Sequence, residues 1–168
     1  KRWVPWLLAY TGARVGEMAQ LRKRDLKRQE DHWVIVIDPE AGTVKGGQYR
    51  EVPLHPHLVE DGFVAFVEAA RSGHLFVTPN PKTRDVRGPL QGVVNRVTEF
   101  VREHVTDKRV APNHAWRHRF ETLGRAVGMR EDLQNMITGH AGSNVAAREY
   151  GDPAGLYREI CKLPRVVL

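Results

Sequence analysis

Apolar positions dominate the first stretch of the chain. Nearly every residue from Trp3 to Tyr10 is apolar, and Thr11-Gly12 closes the run. A helix that is apolar all round belongs in an interior, and Pro5 is tolerable in its first turn. Ala13 to Leu21 predicts a second, short helix with Val15, Met18 and Ala19 facing inward. Arg22 to Arg28 is polar and reads as loop. His32-Trp33-Val34-Ile35-Val36-Ile37 is a β-branched run ended by Asp38-Pro39, which predicts a strand. Tyr49 to Leu54 predicts its return. Gly46-Gly47 between them signals a turn with Lys45 near its tip, so the pair forms a small antiparallel sheet.

Helical periodicity takes over in the rest. Pro56 to Ala70 reads as one amphipathic helix whose core face is Leu58, Phe63, Phe66 and Val67. Leu75-Phe76-Val77 reads as a short strand, and Thr78 to Gly88 as a loop. Pro89 starts a helix that runs to His104. Pro112 opens another that reaches about Val127, with Gly128 as its C-terminal cap. Arg130 to Thr138 forms a short helix ended by Gly139. Asn144 caps one that reaches Tyr150, Pro153 restarts a helix through Lys162, and Arg165 to Leu168 reads as a terminal strand. The expected fold class is mainly α with a small antiparallel β-sheet, an α+β domain without internal repeats.

Composition narrows the classes. The 168 residues suffice for one domain with a real core. The single Cys161 forms no internal disulfide and no cysteine-rich metal site. No stretch approaches the roughly 20 apolar residues needed to span a bilayer, and no signal-peptide pattern opens the chain. The expectation is a cytoplasmic protein with no membrane partner. The first residue is not Met, and Lys1-Arg2-Trp3 runs straight into a helical pattern, so residues 1–168 are expected to be one domain of something longer. The net charge is +6, and residues 1–28 alone hold eight Lys/Arg against two Asp/Glu. Such an imbalance suits a polyanionic partner.

Chemistry concentrates between Asn113 and Tyr150. His114, Arg117 and His118 fall at i, i+3 and i+4 on one helix face. A histidine pair at that spacing can bind zinc, but the zincin pattern needs Glu after the first His, where this chain has Ala115. A guanidinium between imidazoles repels a dication and suits an oxyanion, since its planar fork of donors matches phosphate. The alternative is a polar helix face with one ordinary buried histidine. Arg14 follows the Gly12 break at a helix start, where free backbone N–H groups favour anions. Glu17, one turn on, can hold its guanidinium; the competing reading is a nearly neutral surface pair. Lys45 on its turn can reach into a groove, or stay solvated.

Taken in order, the chain reads Thr11-Gly12-x-Arg14-x-x-Glu17, Thr43-x-Lys45 with Arg50-x-Val52-Pro53-Leu54, His114-x-x-Arg117-His118, Gly139-His140 and Tyr150. This set resembles the tyrosine recombinase family, phage-type integrases in particular, over essentially the whole chain as that family's catalytic domain. The family's N-terminal domain that clamps core DNA is then absent. The resemblance implies that Arg14 and Arg117 clamp a phosphate, Lys45 is the hairpin lysine, His114 and His140 are the two histidines, and Tyr150 is the nucleophile. Thr138 stands before Gly139-His140 where the family often has Leu, and Tyr150 lies ten positions after His140, one more than is usual in the family. Tyr157 is the nearby competitor.

The expected function is therefore site-specific recombination or integration of DNA through a 3′-phosphotyrosine intermediate, needing neither metal nor ATP. The partners are double-stranded DNA and, on it, three further copies in a homo-tetramer, in a bacterial cell. Arg22, Lys23 and Arg24 are expected to contact the DNA backbone away from the scissile phosphate. The rivals are a type IB topoisomerase-like enzyme that religates the original strand, a DNA-binding regulator without activity, and a zinc hydrolase.

Overall fold

In a computed structural model of the chain, residues 2–38, 49–140 and 153–166 are described. Helix α1 (Trp3–Thr11) is buried on nearly every side, with only Trp6 partly exposed. That follows from a helix that carries apolar residues all round. It packs against α2 (Val15–Ala19) and the long α6 (Pro112–Ala126). Gly12 ends α1 in the left-handed region at φ 58°, and its N–H reaches the Leu8 carbonyl at 3.0 Å. A side chain there would meet the Phe120 ring 2.8 Å away, so glycine is needed both for backbone and for space.

Three strands, β1 (Leu26–Gln29), β2 (His32–Ile37) and β3 (Arg50–Pro53), form one antiparallel sheet in that order. Gln29 pairs with His32 across a two-residue connection in which Glu30 takes φ 47°. In central β2, Val34 to Ile37 are all buried, as expected of a strand covered on both faces. Pro53 is accommodated because β3 is an edge strand. The other helices are α3 (Pro56–Glu60), α4 (Phe63–Ala69), α5 (Arg87–His104), α7 (Glu131–Thr138) and α8 (Pro153–Cys161). A single core of buried residues runs through them from Trp3 to Val166. Burying each of its Leu, Ile, Val or Phe side chains contributes about 1.5–3 kcal/mol. Among the described residues no helix is long and apolar enough to cross a membrane.

Four local expectations are corrected. Arg22–Arg28 is not loop: Lys23–Asp25 forms a 3₁₀ turn and β1 follows. Its Lys27 and Arg28 are exposed, as a charged edge strand allows. Pro56 to Ala70 is two helices, because Gly62 at φ 90° breaks the run. Leu75 to Val77 forms no strand; the nearest pairing is an isolated bridge between Arg22 and His74. Arg165 and Val166 are not in a strand either. They fold back on their own domain, where the Val166 N–H donates to the Tyr10 hydroxyl at 2.8 Å and Arg165 pairs with Glu60. The turn at Gly46-Gly47 and the helix from Asn144 to Tyr150 lie outside the described residues.

Candidate active site

Arg117 is the centre of the site. It sits in the middle of α6 and is only 8% exposed. Its Nε donates to the Gly12 carbonyl at 2.8 Å and its Nη2 to the Thr138 carbonyl. These carbonyls lie at the ends of α1 and α7, where helices leave acceptors unsatisfied. One side chain therefore ties three helices together. Burial lowers its pKa, and the positive charge of Arg14 pushes the same way. Arginine nonetheless stays charged at neutral pH.

His140 is placed by the end of α7. Gly139 takes φ 72°, and the His140 N–H reaches back to the Asn135 carbonyl at 3.0 Å, while Gly139 N–H reaches Met136 at 3.3 Å. This pairing satisfies the last carbonyls of the helix and aims the next residue. The half-exposed imidazole has Nε2 at 3.4 Å from Arg117 Nη1. Its Nδ1 is 3.2 Å from Glu121 Oε1, within ion-pair range but not aligned as a hydrogen bond. Thr138, fully buried, donates its hydroxyl to the Gln134 carbonyl, so the position before Gly139 is occupied by a threonine that stays inside the helix.

Arg14 stands between α1 and α2 with its side chain 47% exposed. The backbone N–H of Arg14 itself is taken up: it donates to Glu17 Oε2 at 2.8 Å. Its guanidinium makes a longer contact with Glu17 Oε1 at 3.3 Å. Glu17 is therefore no surface carboxylate. Its side chain is 1% exposed, and its other partner is Arg50, with contacts of 2.7 and 3.2 Å. Burial pushes the Glu17 carboxyl up, but Arg50 first and Arg14 second hold it below its ordinary value.

His114 is exposed in the first turn of α6, one turn before Arg117. That end of α6 is fixed to α5 by reciprocal contacts between Asn113 and Thr98 at 3.1 and 3.3 Å. His118 is exposed as well. Lys45 and Tyr150 lie outside the described residues. Among the described residues no three His, Cys, Asp or Glu side chains meet closely enough to hold a metal ion.

The three residues expected on the DNA backbone divide. Arg22 is buried and turned inward, with Nη2 2.8 Å from both Asp25 and Asp38. The expectation that it displays its charge to DNA is corrected. The Lys23 ammonium donates to the carbonyls of Glu68 and Ala70 at 2.6 and 2.8 Å. Only Arg24 presents an exposed side chain.

Two residues were given no role from the sequence, although Arg50 stands in the quoted motif. Arg50 stands at the head of a strand that runs into buried Val52 and Pro53, where an unpaired charge is costly, and that is the signal for it. Glu121 lies at i+4 from Arg117, hence on the same helix face. Together Arg14, Arg117 and His140 form a cationic and hydrogen-bonding cluster where three helix ends meet. Such a cluster can hold a tetrahedral oxyanion and stabilise charge building on it.

No family model matches the sequence, and no curated protein matches it. Solved structures do match. The integrase from mycobacterium phage Brujita superposes with a TM-score of 0.64 over 99% of this chain and 53% of that chain, at 22% identity. The XerH site-specific recombinase, in a pre-cleavage complex with its difH substrate, superposes with a TM-score of 0.51 over 84% of this chain and 39% of that chain, at 23% identity. The chain thus spans about half the length of the first and two fifths of the second. At these identities the likeness is one of fold: a mainly helical domain with a small antiparallel sheet, like the matched parts of an integrase and a site-specific recombinase.

Proposed function

We propose that the chain carries the catalytic domain of a site-specific DNA recombinase of the integrase kind. The observation that carries the reading is Arg117, fixed by two helix ends with Arg14 and His140 beside it, on a fold shared with an integrase and a recombinase. A DNA phosphodiester is anionic and repels nucleophiles. Two guanidiniums on its non-bridging oxygens offset that charge and stabilise the more highly charged transition state.

In this reading the Tyr150 oxygen attacks phosphorus and its proton passes to His114. A tyrosine hydroxyl has an ordinary pKa near 10 and needs such a base or a cationic surrounding. The bond from phosphorus to the 5′ oxygen breaks, and Lys45 protonates the leaving oxygen. His140 donates to a non-bridging oxygen. The 3′-phosphotyrosine keeps the energy of the broken linkage, so a 5′-hydroxyl of the partner strand reverses the step without ATP or metal. Recombination involves two duplexes and four cuts, and hence four protomers on double-stranded DNA. A bacterial cytoplasm is the setting that suits this chemistry.

The test is trapping on a nicked duplex from which the 5′ fragment escapes. The protein should become attached to DNA, with the attachment at Tyr150. Tyr150→Phe should bind the duplex and form no adduct. An adduct that persists in this variant, or that maps to Tyr157, overturns the assignment.

A further inference from the structure

Glu17 is a buried carboxylate beside a guanidinium that, under the proposed function, must face a phosphate. A full ion pair with Arg14 would cancel the charge needed on DNA and draw the side chain inward. The geometry limits this to one longer contact. Arg50 approaches Glu17 through both terminal nitrogens, at 3.2 Å to Oε1 and 2.7 Å to Oε2, whereas Arg14 touches it once through its guanidinium, at 3.3 Å. The paired fork of Arg50 is the stronger geometry for a carboxylate. Arg50 is itself only 9% exposed in its side chain, so it offers DNA little. Arg14 remains half-exposed.

Arg50 is held from a second side. Its Nε donates to the Ile137 carbonyl at 3.0 Å, in the last turn of α7. The guanidinium lies under Gly139, where an added Cβ would sit 2.9 Å from Arg50 Cζ. One residue of β3 thus touches both the α2 element behind Arg14 and the helix end that aims His140.

We propose that Arg50 is a positioning residue: it is the counter-ion that occupies Glu17 and so leaves the Arg14 guanidinium free to hold a phosphate. This deepens the recombinase reading and rests on it for its activity readout. Glu17 is faced by Arg14 from its own element and by Arg50 from β3, and it is electrostatically coupled to Arg117 on α6. Without Arg50, burial of Glu17 acts against its charged form, and only Arg14 lies in direct contact to offset it.

The test is a double-substitution cycle on the full chain with Arg50→Met, Glu17→Gln and both together. Adduct formation on nicked DNA and thermal unfolding are followed for each. Arg50→Met should slow adduct formation by roughly 10²-fold or more, as for loss of one oxyanion donor. The double variant should recover to within about tenfold of Glu17→Gln alone, since a neutral amide in place of the carboxylate leaves no charge to draw Arg14 away. If Arg50 acts only by supporting α7, its removal slows both backgrounds equally, and the inference is overturned. Should Arg50→Met not fold, Arg50→Lys keeps the charge without the fork and should show a smaller loss, again relieved by Glu17→Gln.

A second readout needs no activity. The Glu17 carboxyl, followed by NMR, should titrate below its ordinary value in the wild type and higher than that in the Arg50 variant, more so in Arg50→Met than in Arg50→Lys. Equal titration in both overturns the counter-ion role. A wild-type protein that forms no adduct would instead sink the recombinase reading, leaving this titration to decide the role of Arg50.

Discussion

At the scale of single residues, Arg14 and Arg117 are a contrasting pair. Both are expected on one phosphate, but only Arg117 is also part of the framework, through the Gly12 and Thr138 carbonyls. Arg14→Ala and Arg117→Ala should each lose adduct formation by roughly 10²–10³-fold with little change in DNA affinity. Arg117→Ala should in addition lose about 1–3 kcal/mol of stability, because its truncation leaves buried acceptors unpaired. Denaturant unfolding beside the nicked-DNA assay checks this; equal stabilities would show that the Arg117 bonds are not structural. For Lys45 the expectation concerns the leaving group. With sulfur in place of the bridging 5′ oxygen, the departing thiolate has a pKa near 8.5 and needs no donor. Lys45→Ala should then cleave ordinary DNA roughly 10²–10⁴-fold more slowly and recover most of its rate on the sulfur substrate. Equal slowness on both would make Lys45 a phosphate clamp instead. No single spacing singled out Arg14, Arg117 and His140; their order along the chain did, and the structure brings these three together while His114 and His118 are exposed. The burial of Glu17 was not legible, because its partner Arg50 lies far along the chain and meets it only in the folded state.

At the scale of elements, the sheet and the tail carry the corrections. Strand β2 was legible end to end, since six consecutive β-branched or aromatic-rich positions have few alternatives. Strand β1 was not, because Leu-Lys-Arg-Gln is polar and is held by pairing to β2 rather than by its own preference. Arg22 follows from the same error. Asp25 at i+3 was visible in the sequence, but Asp38 comes from the far end of β2. Arg22→Ala should therefore cost about 3 kcal/mol or more of stability, as for one partner removed from a buried pair. Arg24→Ala should leave stability alone and lower the salt slope of DNA binding by about one. If Arg22→Ala instead folds normally and binds DNA weakly, the inward orientation is wrong. Residues 163–166 carry a pH dependence. His55 accepts the His57 N–H on Nδ1 at 3.0 Å, so its Nε2 carries the proton and donates to the Leu163 carbonyl at 3.0 Å. Burial lowers its pKa against the opposing hydrogen bond to Leu163, and the positive charge of Arg165 adds to the lowering. The unfolded chain then binds more protons, so this stability is complete above pH 6.5 and declines as pH falls from there toward the folded value. Melting temperatures between pH 8 and 5 should fall, and His55→Gln should flatten that part of the curve. An unchanged slope would place the sensitivity elsewhere.

At the scale of the molecule, the site joins parts of the chain that lie far apart: the turn after α1, the start of β3, the middle of α6 and the end of α7. The fold class was legible because the helical periods are long and the β-branched stretch is short. Their mutual placement was not, since no local pattern says that an arginine in α6 will span two other helix ends. The basic front segment, read as a DNA contact, is spent in part on the fold itself, through Arg22 and Lys23. The arrangement around Arg117 has a thermodynamic consequence. A long, flexible side chain ordinarily loses rotamer freedom when it grips a ligand, at about 0.5–1.5 kcal/mol for each one immobilised. With its Nε and one terminal nitrogen already bonded to the framework, Arg117 has lost that freedom during folding, before any DNA is present. Half-exposed Arg14, held by one guanidinium contact of 3.3 Å to Glu17, has lost less of it. If the two guanidiniums hold the phosphate of the proposed reaction, the entropy of association falls unevenly on them, with Arg117 as the fixed template and Arg14 as the one that closes.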